Sequence, residues 1–73
     1  MQSLEYLIVL EVAARPRGRD RERLRRSLRE HPAEAIDEAV RSLEEAGVVS
    51  ATPRTVRPSR ALRMLDQLGL INV

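Results

Sequence analysis

Ala35-Ile36-Asp37-Glu38-Ala39-Val40-Arg41-Ser42-Leu43-Glu44-Glu45-Ala46-Gly47-Val48-Val49 changes its pattern once, at Gly47. Before the glycine, Ile36, Val40 and Leu43 recur at the spacing of one helix face, with charged side chains between them. After it come two β-branched residues, which favour a pleated strand. Glycine commonly terminates a helix in the left-handed conformation, so the stretch predicts a helix, a stop and a strand. Upstream, Pro32 suits the first position of this helix and Glu34 its positive N-terminal end. The predicted helix runs from there to about Ala46.

Working outward, Val48–Ala51 reads as a short strand, Thr52-Pro53-Arg54 as a turn and Thr55-Val56-Arg57 as a returning strand, together a small hairpin. Ser59 caps a last helix, about Arg60 to Leu68, with Ala61, Leu62, Leu65 and Leu68 on one face, and Gly69 stops it. Toward the N-terminus, His31 sits in a turn and is expected to cap, not to do chemistry. A short helix, about Arg21 to Arg29, carries Leu24 and Leu28 one turn apart and takes Asp20 as its cap. Arg15-Pro16-Arg17-Gly18-Arg19 reads as a turn. The first helix, about Leu4 to Ala14 with Ser3 as N-cap, is apolar on more than one side, so it is expected to be central or shared with a partner.

The 73 residues allow one domain, 1–73, and exclude a catalytic barrel. The chain is 42% hydrophobic, has one Tyr and no Phe, Trp or Cys, so an aliphatic core with neither disulfide nor zinc cluster is expected. A chain this short buries only about 60% of its unfolded surface, which makes a second copy a welcome source of buried area. The run Tyr6–Leu10 is short and flanked by Glu5 and Glu11, so neither a leader nor a membrane span is expected. The lack of cysteine fits a reducing compartment, and a cytoplasmic location is expected.

The net charge of +2 conceals a pattern: residues 1–14, 15–29, 30–46 and 47–73 carry −2, +6, −5 and +3. Every basic residue is arginine. With no lysine or cysteine to titrate, the sequence pI of about 10.4 overstates how basic the molecule is at pH 7. The arginine block has three readings: a phosphate-gripping surface, a solvated face whose partners are the acidic residues that follow, or a contact for an acidic protein partner. The acidic residues Glu34, Asp37, Glu38, Glu44 and Glu45 read as solvated surface, some of them pairing with those arginines.

The order helix, helix, helix, glycine, two-strand hairpin, helix resembles a winged helix-turn-helix domain. Residues 35–49 resemble the recognition helix of bacterial winged-helix transcriptional regulators of the multiple-antibiotic-resistance and arsenic-repressor type. Ile36, Val40, Leu43 and Gly47-Val48-Val49 carry that likeness, and Thr55-Val56-Arg57-Pro58-Ser59 resembles the second wing strand and the cap of the final helix. The resemblance implies a mainly α fold with a small β-hairpin: a three-helix core, a two-stranded wing and a C-terminal helix.

It also implies duplex-DNA binding by a small transcriptional regulator, with the third helix in the major groove and the wing at a neighbouring minor groove. The residues expected to contact DNA are Arg17, Arg19, Arg21, Arg25, Arg26 and Arg29, then Ala33, Asp37 and Arg41, then Arg54, Arg57 and Arg60 of the wing and its exit. The sequence differs from the family at the third helix, where Asp37 and Glu38 occupy positions that usually carry Ser, Thr, Gln, Asn, Arg or Lys. Terminal-helix dimers are usual in the family, and a homodimer through Tyr6, Val9, Val12, Leu68, Leu70 and Ile71 is expected. The alternative is a winged-helix protein–protein interaction module without DNA binding, using the acidic third-helix face or the apolar terminal helices. An element of a larger ribonucleoprotein or toxin–antitoxin assembly is a third reading. Catalytic residues, cofactors and metal ligands are not expected: the serines lack a base, the glycines are isolated and His31 stands alone.

Overall fold

Ser3 opens the first helix as its position predicts: its hydroxyl accepts the Tyr6 amide at 3.1 Å. The computed structural model describes residues 3–70. In chain order the elements are α1 (Leu4–Ala13), β1 (Arg19–Asp20), α2 (Arg21–Ser27), α3 (Ala33–Glu45), β2 (Val49–Ala51), β3 (Thr55–Pro58) and α4 (Arg60–Gln67). Among the described residues the protein is mainly helical, with four helices and a small three-stranded antiparallel sheet of order β1-β3-β2.

The two-stranded hairpin expected from the sequence is therefore corrected to three strands. Arg19, expected in a turn, pairs with Val56, and Asp20 with Thr55. On the other side of β3, Val49, Ser50 and Ala51 face Pro58, Arg57 and Val56. Asp20 stands at the N-cap position of α2, but its carboxylate makes no capping bond. Its backbone belongs to the β1–β3 pairing, and the first amide of α2, Arg21 N, donates to Arg54 O at 2.8 Å. Pro32 precedes α3 as its N-cap, so the helix starts one residue later than expected.

The core is a single aliphatic cluster. Ile8, Val12 and Ala13 of α1 meet Leu24 and Leu28 of the α2 region, Ile36, Ala39, Val40 and Leu43 of α3, Val49 and Val56 of the sheet, and Leu62 of α4. Leu4, Leu7 and Val9 lie against it, so α1 is central, as its apolar circumference suggests. Gly47 adopts φ +77°, and α3 closes with paired bonds from Gly47 N to Glu44 O and from Val48 N to Leu43 O. This is the glycine stop in its six-to-one and five-to-two form. α4 ends in the same way, with Gly69 N donating to Asp66 O and Leu70 N to Leu65 O.

One expectation about the apolar faces is corrected. Val12, assigned to a dimer seam, is wholly buried within this chain's own core, so it is unavailable to a partner. On α4 only Leu62 is buried, and Ala61, Leu65 and Leu68 are exposed. The helix docks through its first turn, where the Ser59 hydroxyl accepts the Leu62 amide at 3.1 Å, and then leaves the core. Ile71 and the rest of the tail, 71–73, lie outside the described residues. Among the described residues no helix is long and apolar enough to cross a membrane.

Candidate nucleic-acid interface

The hairpin tip is built by Thr52. Its hydroxyl accepts the amides of Thr55 at 2.9 Å and Arg54 at 3.3 Å, and its own amide donates to Thr55 O at 2.8 Å. Such side-chain-to-backbone bonding closes a tight turn without positive-φ residues, and no non-glycine residue among those described has one. Pro53 and Arg54 are left at the apex, both exposed.

The tip does not project freely. Arg21, the first residue of α2, donates its Nε to Thr52 O at 2.7 Å, and its terminal nitrogen lies 3.5 Å from Asp37 of α3. Arg25, one turn along α2, reaches the same carboxylate with its terminal nitrogen 3.2 Å from Oδ1 and 3.4 Å from Oδ2. One residue thus ties the start of α2, the middle of α3 and the hairpin tip together. Arg21, Arg25, Arg54 and Pro53, with Asp20 and Glu22, line an open cleft there.

The other expected contacts are dispersed. Arg19 is turned inward: its guanidinium bonds Glu11 of α1 at 3.1 Å, and its side chain is only 19% exposed. β1 places it on the same sheet face as buried Val56. Arg26 and Arg29 are exposed, but they border a groove along α1 with Leu7, Glu11 and His31, away from the Arg21–Arg54 cleft. Of the arginine block, Arg21 and Arg25 line one groove and Arg26 and Arg29 another. Ala33 and Arg41 are exposed on α3, and Arg41 lies in a groove with Glu5, Glu38 and Glu45. Arg17 is exposed in the loop before β1, Arg57 is exposed on β3 opposite Ser50, and Arg60 shares a shallow groove on α4 with Arg63. The His31 amide closes the turn after α2 by donating to Leu28 O at 2.8 Å.

Three members of this region were not singled out from the sequence. Thr52 shapes the tip, Glu11 holds Arg19, and Arg63 accompanies Arg60. Thr52 carried a signal, a β-branched hydroxyl directly before Pro; the other two needed the fold. Glu44 Oε2, meanwhile, accepts the edge amide of Ala51 at 3.4 Å, so this acid serves the sheet. Among the described residues no group of three or more His, Cys, Asp or Glu is placed to hold a metal ion.

No protein-family model, no curated protein and no solved structure matches this chain.

Proposed function

We propose that the protein is a winged helix-turn-helix domain that binds duplex DNA, as a small transcriptional regulator does. The observation that carries this reading is Arg21. Its one bond to Thr52 O and its approach to Asp37 tie α2, α3 and the hairpin tip together. These are the three elements that contact DNA in the helix-turn-helix mode, one helix crossing the backbone and the next entering the major groove. On this surface Arg25 and Arg54 are the phosphate contacts, and the base contacts proposed on α3 are Ala33 and Arg41, the latter in the groove with Glu5, Glu38 and Glu45.

The test is fluorescence anisotropy with random duplex DNA across salt. Each phosphate neutralised contributes about −0.9 to the slope of log K against log salt, so two to three contacts give a slope of about −2 to −3. Arg54→Ala is expected to weaken binding and flatten the slope by about 1. Arg26→Ala, on the α1 side, is expected to leave it unchanged. No binding at about 50 mM salt overturns the reading.

A second reading has its own observation. Leu65, Leu68 and Leu70 are 43%, 66% and 68% exposed, with Met64 and Tyr6 also open to solvent. Such a patch marks a protein contact, which favours a winged-helix interaction module or a homodimer through the terminal helices. Size exclusion with light scattering is expected to give about twice the 8.3 kDa chain mass. A single 8.3 kDa species rejects self-association.

A further inference from the structure

Asp37 is the one acid of α3 that the structure pairs with arginine; Glu34, Glu38 and Glu45 have no ion-pair partner among the described residues. Its Oδ1 lies between two guanidiniums of α2, 3.2 Å from Arg25 and 3.5 Å from Arg21. The three side chains are 41%, 43% and 22% exposed, so the cluster sits at the surface beside Arg54. Two arginines converging on one anionic group from adjacent turns make the geometry that also recognises a phosphate oxygen.

Resting on the DNA-binding reading, we infer that Asp37 is an internal stand-in for a backbone phosphate: its carboxylate occupies the fork of Arg21 and Arg25 in the free protein and is displaced when a duplex docks. Exposed ion pairs are weak, and a polyanion that releases its counterions on binding gains more than one carboxylate can. Arg21 stays anchored during the exchange, because its Nε is committed to Thr52 O and only its terminal nitrogens change partner. The carboxylate thus lowers non-specific affinity while keeping both guanidiniums aimed.

The experiment compares wild type, Asp37→Asn, Arg25→Ala and the double variant, with Glu38→Gln as a control for charge alone. Binding to random duplex DNA is measured from about 50 to 200 mM salt. Asp37→Asn is expected to bind about three- to tenfold tighter at the low-salt end with little change in slope, because the same phosphates are neutralised in both complexes. The gain disappears in the Arg25→Ala background, as coupled sites require, and Glu38→Gln gives a smaller gain. Asp37→Ala repeats the result without a replacement amide, and circular dichroism shows whether each variant is folded.

If wild type binds DNA and Asp37→Asn binds no tighter, or its gain survives Arg25→Ala, the inference is overturned and the DNA reading stands. If neither binds DNA, that reading falls, and titration with inorganic phosphate followed by the arginine Nε–H resonances decides the inference. Shifts of Arg21 and Arg25 at lower phosphate in Asp37→Asn than in wild type support it, and equal or absent shifts overturn it.

Discussion

Leu24→Ala is expected to remove about 3 kcal/mol of stability and to lower the melting temperature by roughly 12–24 °C. Leu24 is 0% exposed and is the only buried residue within α2. The helix has seven residues, too few to persist without tertiary support. Its other ties are the Arg21 bonds to the Thr52 and Arg54 carbonyls and the Arg21 and Arg25 contacts with Asp37, and exposed ion pairs contribute only about 0–1 kcal/mol each. A domain of this length holds about 4–11 kcal/mol in all, so one truncation consumes a large share of it. Urea and thermal unfolding by circular dichroism measure the change. A loss under about 1 kcal/mol would show that α2 is held by something other than this leucine. Leu68→Ala, at a position 66% exposed, is the comparison and is expected to shift stability by less than about 0.5 kcal/mol.

Gly18→Ala is expected to cost about 2–4 kcal/mol, combining roughly 1–2 kcal/mol for a side chain in the left-handed region with displacement of backbone. Gly18 has φ +78°, and an added Cβ would collide with the Val56 carbonyl oxygen while standing 2.7 Å from Arg57 Cα. Neither neighbour is the free end of a side chain, so β1 itself must move from β3. The damage is expected to be local as well as global: hydrogen exchange at residues 19–21 should accelerate more than in α3. Gly47→Ala separates strain from collision. Its φ is +77°, but nothing lies within 4 Å of the added carbon. Only the conformational cost of about 1 kcal/mol is expected there. Equal losses at the two glycines would refute the close packing of the Gly18 loop on β3.

Local chemistry explains what could be read from the sequence. Ser3 and Ser59 cap helices through their hydroxyls, and Gly47 ends α3, because each signal acts within a few residues. The amphipathic period likewise named Ile36, Val40 and Leu43 as the buried face of α3. β1 was not readable: Arg19-Asp20 shows no alternation of its own and becomes a strand only against Val56 and Thr55. Spacing told which residues of α4 share a face, but whether Leu65 and Leu68 are covered depends on where the helix leaves the core. Within the candidate site, opposite charges in consecutive blocks announced pairing between the second and third helices. Which acid would be chosen depended on how α2 crosses α3, and that crossing selects Asp37.

The central strand of the sheet is also the last to be synthesised. β1 waits for residues 55 and 56, and β2 for Thr55–Pro58, so neither edge has a strand partner until β3 exists. The first three helices precede β3 in the chain, so they are synthesised before the Val56 that packs in the same core cluster. Contacts between distant parts of a chain close late and slowly, and an apolar cluster left part-covered in that interval is the kind of surface that chaperones meet. β3 is thus the strand on which both edges depend: without residues 55–58 neither Arg19–Asp20 nor Val49–Ala51 has a strand to pair with.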